Sequence, residues 1–179
     1  MNEDLARMAL RTIQKLGASY ADVRYVKTES ENLHVKKGVP EEIRKSSIAG
    51  IGVRAIAKGA WGFAGTTELG RPSVVNIAKL AYKVACASAT AKKTDVKLSP
   101  TSARKAKHST RFRKDPFKVS LQEKLDSLKT TERAAAAESR ELIKTSSSFF
   151  RAHRERKLFL SSEGAEIDQT IVWCGGGVS

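Results

Sequence analysis

Histidine, cysteine and clustered glycine are the residues of this sequence that could do chemistry, and their spacing supports little of it. His34, His108 and His153 lie far apart, so no helix offers two imidazoles one turn apart to share a metal. Cys86 and Cys174 have neither a histidine beside them nor metal or redox spacing between them, and both read as reduced structural thiols. Locally, His34 falls on an alternating strand, His108 in a basic segment and His153 beside "RER" on another strand, which makes each a surface residue. No G-x-S-x-G elbow is present. The glycine clusters "GIG" and "CGGG" are not followed by a helix N-terminus, so their amides would not converge on a phosphate. They read instead as bulges or points of close backbone approach. No catalytic residue, no metal ligand and no cofactor site is assigned to this chain.

Charge offers a second kind of chemistry. The 179 residues carry a net charge of +14, and the stretch from Lys83 to Lys118 holds eleven Lys/Arg against Asp95 and Asp115. Its core, "KKTDVKLSPTSARKAKHSTRFRKDPFK", is rich in Ser, Thr and Pro and has no apolar period, the composition of a solvated connector. A nucleic-acid-binding arm would look similar, because Lys and Arg gain affinity by releasing phosphate counterions. Only Phe112 and Phe117 could stack on bases there, and no recognised nucleic-acid motif surrounds them. The connector is the favoured reading and the arm its rival, with Arg104, Lys105, Lys107, Arg111, Arg113 and Lys114 as the residues that would carry it.

The third candidate is a surface. The stretch "SIAGIGVRAIAKGAWGFAGTT", residues 47–67, has five glycines and five alanines around one tryptophan. With Lys58-Gly59 as a two-residue turn, Ala57 faces Ala60, Ile56 faces Trp61, Ala55 faces Gly62 and Arg54 faces Phe63. One face then carries Ile51, Val53, Ala55, Ala57, Ala60, Gly62 and Ala64, small enough for a helix to approach the sheet closely. The other carries Ile48, Arg54, Ile56, Trp61 and Phe63, with Arg54 able to lie over a ring. Either the small face is packed and the Arg54/Trp61/Phe63 face is a second contact surface, or the aromatics form the core and the small face is solvated. The sequence leaves both open.

The elements that must position these residues follow from periodicity. Leu5, Met8/Ala9, Ile13 and Leu16 predict a helix near 3–16, ended by Gly17. From Tyr20 the period becomes two, with "ADVRYV" and "NLHV" as strands, a turn at Gly38 and Pro40 suited to an edge. Pro72 opens a helix near 72–91 on the stripe Val74, Ile77, Ala81 and Val84/Ala85. "SLQE" is a capping box, with Ser120 as N-cap and Glu123 returning to its amide, for a helix near 120–138. Strands resume at about Ile143, "SSFFRAH" and then "KLFLSSEGAEIDQTIVW", with a turn at Glu163-Gly164. The fold class is α+β, mainly antiparallel sheet with flanking helices. Gly38 and Gly164 are 126 apart and Gly52-Val53 and Gly177-Val178 are 125 apart, which suggests a duplicated helix-plus-hairpin unit. The division expected is 1–91 as a first α+β unit, 92–118 as basic connector and 119–179 as a second unit stopping partway through a strand. That stop should leave a sheet edge unpaired. No apolar run is long enough to span a membrane. The N-terminal "MNEDLARMALR" has acids where a secretory signal needs lysines, so a cytoplasmic protein is expected.

The segments "GASYADVRYVKTESENLHVKKGVPEEI", "GIGVRAIAKGAWGFAGTTEL", "KDPFKVSLQEKLDSL" and "KLFLSSEGAEIDQTIV" together resemble the TldD/PmbA family, from about Leu5 to Ser179, and favour its TldD branch. The resemblance implies a cytosolic zinc-dependent peptidase family, also named as modulators of DNA gyrase. Its members act on small or unfolded polypeptides, and TldD-type and PmbA-type subunits pair as a heterodimer. It further implies that zinc belongs to an H-E-x-x-x-H helix, completed by a cysteine, in a C-terminal domain that this sequence does not reach. No family catalytic residue therefore maps onto a position here, Cys174 included. The function expected is that of a non-catalytic N-terminal domain giving scaffold, substrate enclosure and subunit pairing.

Overall fold

In the computed structural model, residues 2–138 and 143–179 are described. The elements are α1 (Asn2–Lys15), β1 (Tyr20–Lys36), β2 (Val39–Ala57), β3 (Ala60–Thr66), α2 (Arg71–Ser88), β4 (Lys105–Ser109), α3 (Leu121–Ala137), β5 (Ser147–Ser161) and β6 (Glu166–Val178). The strands form one mostly antiparallel sheet in the order β3-β2-β1-β5-β6-β4. Compact packing divides the chain into a first unit of residues 1–27, 48–108 and 156–170 and a second of 28–47, 109–155 and 171–179.

In the first unit α1 and α2 pack on one face of the sheet. Leu5, Ala9 and Ile13, spaced four apart, are buried along α1, and Gly17 ends the helix at φ +89°. On α2 the buried stripe is Val74, Ile77, Ala78, Ala81 and Ala85, with Pro72 in the first turn, where a missing amide costs nothing. These meet Val23, Ile51, Val53, Ala55, Ala64, Leu158 and Leu160 from the sheet. The β2–β3 register pairs Ala57 with Ala60, Ile56 with Trp61, Ala55 with Gly62 and Arg54 with Phe63. Lys58 and Gly59 both take positive φ, as a tight turn matching strand twist requires. The small-residue face is the packed one. A Cβ on Gly62 would collide with the Ala81 carbonyl and stand 2.9 Å from Ala85 Cα, so glycine is what lets α2 lie on the hairpin.

The second unit has its own core, Leu33 and Val35 of β1 against Leu125 and Leu128 of α3. Ser120 caps α3 by accepting from the Glu123 amide at 3.1 Å. The Glu123 carboxylate binds Lys114 Nζ at 2.5 Å. "ADVRYV" and "NLHV", read above as separate strands, are joined by a segment that stays extended inside β1. Its charges are matched: Glu31 pairs with Lys124 at 2.8 Å and Glu29 with Arg154 at 3.2 Å. Likewise "SSFFRAH" and "KLFLSS" are one strand. Within the segment read as a connector, Lys105–Ser109 is a strand exposed along its whole length. Backbone pairing, marked by the Glu166 amide on the Arg104 carbonyl at 2.8 Å, needs no apolar pattern and so left no trace in the composition.

Glu132 holds the tip of the β1–β2 hairpin. Its carboxylate, 2% exposed as a residue, accepts from the amides of Lys37 (2.5 Å) and Gly38 (3.0 Å) and from Ser146 Oγ (2.8 Å). Burial alone would raise its pKa, but the Gly38 amide, the Ser146 hydroxyl and the Lys37 amide outweigh it, and the net shift is below the ordinary 4.5. A depressed carboxylate contributes stability above its unfolded pKa and loses it as pH falls through the folded value. In Glu132→Gln an NH2 group must face an amide donor. Urea unfolding should therefore show a loss of about 1–3 kcal/mol at neutral pH. The gap from the parent should narrow as pH drops below about 4, because the parent carboxylate then protonates too. A pH-independent difference would assign the loss to packing.

Candidate functional site

The face of the first unit opposite α1 and α2 carries Arg54, Trp61 and Phe63, the three residues singled out from sequence. The structure brings two of them together directly: the Arg54 guanidinium lies 4.6 Å from the Trp61 ring centroid. Tyr20 meets Trp61 edge-on at 5.9 Å. Phe63, across the strand pair from Arg54, is 65% exposed, far more than a large aromatic shows in a packed core.

Between Arg54 and the end of β3 lies a trough of about 760 Å³. Its floor is glycine, with Gly52 directly opposite Gly65 and Gly50 next along β2. Asp22, Arg24 and Val26 line it from β1, Phe63 from β3, and Thr66, Thr67 and Glu68 from the end of the hairpin. Asp22 is the electrostatic pivot, 2% exposed. Its Oδ2 takes Arg54 Nε at 2.8 Å and Nη2 at 2.7 Å, while its Oδ1 faces Arg24 Nε at 3.7 Å. Burial would lower the Arg54 pKa, but Asp22 outweighs it and holds the guanidinium above its usual value. Burial, then the Asp22 charge, pushes the Tyr20 phenol up. Arg54 and Tyr20 therefore keep their charge states around neutrality. Asp22 and Arg24 were not singled out from sequence. Their alternation within "ADVRYV" was the signal, since it set them on the polar side of a strand.

The other candidates lie elsewhere. His34 Nδ1 sits 3.2 Å from Glu41 Oε2, His108 is on the exposed β4, and His153 stacks on Trp173 with centroids 5.3 Å apart. Among the described residues no three His, Cys, Asp or Glu side chains converge as a metal site would need, so the groups present do not fit a catalytic metal. Nor is any described helix long and apolar enough to cross a membrane. Arg104, Lys105, Lys107, Arg111 and Arg113 are exposed in and beside β4, while Lys114 is engaged with Glu123.

Residues 21–85 match the family model described as PmbA/TldA metallopeptidase domain 1. A metalloprotease of Methanocaldococcus jannaschii is 27% identical over 167 residues, covering 92% of this chain and 36% of the relative. Among solved structures, a candidate modulator of a DNA gyrase from Thermotoga maritima MSB8 superposes with TM-score 0.72 at 15% identity over 99% of this chain and 39% of that one. TldE from Thermococcus kodakarensis gives 0.67 at 16% identity, over 97% of this chain and 37% of its own. The structural likenesses establish a shared fold, and the chain spans less than two fifths of each of these relatives. Over the matched residues, which build the trough, the chain is similar to the first domain of the PmbA/TldD metallopeptidases.

Proposed function

We propose that this chain serves as the non-catalytic N-terminal domain of a TldD-like metallopeptidase, working in the cytoplasm. It supplies scaffold, helps enclose a small or unfolded peptide, and pairs with a TldD/PmbA-type subunit, while zinc and catalysis reside outside these residues. The observation carrying this reading is the asymmetry of the first unit's sheet. Both helices pack on one face, and the face with Arg54, Trp61 and Phe63 is left open around a glycine-floored trough. An exposed Phe63 and a half-buried Trp61 beside a fixed cation suit a surface that another polypeptide covers.

A photo-crosslinking residue placed at Phe63 tests it, with one at Leu80, exposed on α2, as control. Crosslinks from position 63 to a TldD/PmbA-type subunit or to a reduced, unfolded polypeptide, and none from position 80, are expected. Equal crosslinking from the two positions would remove the assignment of this face. Stoichiometric zinc on this polypeptide, with peptide turnover that a chelator stops, would remove the non-catalytic reading.

A second reading has its own observation: β4 buries none of its residues, yet carries Lys105 and Lys107 beside Arg104. On that reading the rim binds nucleic acid. DNA affinity should then fall steeply with salt, and replacing Arg104, Lys105, Lys107, Arg111 and Arg113 by glutamine should flatten the slope. An unchanged slope excludes it.

A further inference from the structure

We infer that the trough takes an extended polypeptide segment and reads an acidic side chain on it through Arg24, an inference that rests on the substrate-enclosing role proposed above. The floor carries no side chain of its own at Gly52 and Gly65, and the one ring that leans over it is Phe63, 3.3 Å from where a Cβ on Gly52 would stand and 3.8 Å from one on Gly65. Phe63 and Val26 offer apolar walls for the residues of a passing strand.

The charges set the specificity. At the Arg54 end two guanidiniums share one carboxylate, and Arg54 holds Asp22 Oδ2 with a hydrogen bond from Nε at 2.8 Å and an ion-pair contact from Nη2 at 2.7 Å. Arg24 stands off at 3.7 Å from Oδ1, beyond hydrogen-bond length, half-exposed and with its guanidinium carbon 5.4 Å from the Phe159 centroid. Its planar fork is thus positioned by an aromatic face and free to take a second carboxylate in bidentate fashion. Glu68, past the end of β3, lies at the opposite end and accepts from Ser73 Oγ at 2.8 Å. A segment carrying Asp or Glu at the Arg24 end and a neutral or basic residue at the Glu68 end complements this polarity. A polyphosphate would place charge against both Asp22 and Glu68, which is why a peptide is the occupant chosen.

The test uses end-capped, dye-labelled peptides of Ser, Thr and Val with one central Asp, matched to peptides with Asn or Lys there. Fluorescence anisotropy with the full chain should show the Asp peptide binding about five- to tenfold tighter than the Asn peptide at low salt. Arg24→Gln, with an unchanged thermal melt, should erase that preference while leaving the Asn peptide's affinity as it was. Gly52→Val, also checked by its melt, should weaken all three peptides. Equal binding of Asp and Asn peptides, or a preference that survives Arg24→Gln, overturns the inference. Gly52-sensitive binding of all three would still support the enclosing role. Absence of binding by every peptide overturns both.

Discussion

Replacing Gly62 by alanine is expected to break the packing of α2 on the β2–β3 hairpin. The added methyl would enter the space of the Ala81 carbonyl oxygen and the Ala85 amide nitrogen and stand 2.9 Å from Ala85 Cα. All three are backbone atoms of a helix, so no rotamer change relieves the clash. The helix must move away from Val53, Ala55 and Ala64 or the hairpin must bend. Overpacking of this kind costs about 3 kcal/mol or more when nothing nearby can yield. The sign is diagnostic, because Gly→Ala in a strand otherwise gains about 0.5–1 kcal/mol. Gly52→Ala is the matched control: same hairpin, opposite face, with the Phe63 ring at 3.3 Å as the nearest neighbour. Urea unfolding should show a large loss for Gly62→Ala and a change of less than about 1 kcal/mol for Gly52→Ala, since a mobile ring can turn aside. Similar losses at both positions would mean that α2 does not depend on close approach at Gly62.

That pair of glycines also shows how far the sequence could be read. The register of the hairpin was legible, because Lys58-Gly59 between alternating residues leaves one sensible turn, and the observed pairing is the expected one. Which face is buried was not. Alanine and glycine score as weakly apolar, whereas tryptophan and phenylalanine score as core. The decision rests on α2, which begins at Arg71 beyond the end of the hairpin and needs a smooth surface. Two helices came from their apolar stripes and the third from its capping box, and neither signal includes the buried charges. Lys124 and Glu132 lie on the packed side of α3, and their partners, Glu31 of β1 and the Lys37–Gly38 amides of the hairpin turn, come from positions distant in sequence. Periodicity counts apolar residues only and cannot foresee such pairs. The trough was half visible: Arg54 and Phe63 were placed on one face, but Asp22 and Arg24 join them only through pairing between strands.

Truncating Lys124 to alanine is expected to cost about 3–5 kcal/mol, because it leaves a charge buried without its partner. Lys124 and Glu31 have side chains 4% and 2% exposed, joined at 2.8 Å between Nζ and Oε2. The ammonium also lies 5.3 Å from the Phe150 centroid, a cation–π contact. Glu31 Oε1 accepts no hydrogen bond among the described residues, and its other cation, Lys45 Nζ, stands at 3.5 Å from a mostly exposed position. With Lys124 gone, Glu31 would have only that weaker neighbour, and α3 would lose a fixed attachment to β1 beside the small core of Leu33, Val35, Leu125 and Leu128. The size of the loss comes from the stranded carboxylate rather than from attraction alone, and this separates two outcomes. Lys124→Met in the parent should be strongly destabilising, whereas the same change beside Glu31→Leu should be near neutral, since matched apolar replacements remove both desolvation penalties. A double-mutant cycle from urea unfolding reads the difference. If Lys124→Met costs as much in the Glu31→Leu background as in the parent, the ion pair is not what fixes α3. The loss then belongs to the ammonium's contact with the Phe150 ring, which methionine does not supply.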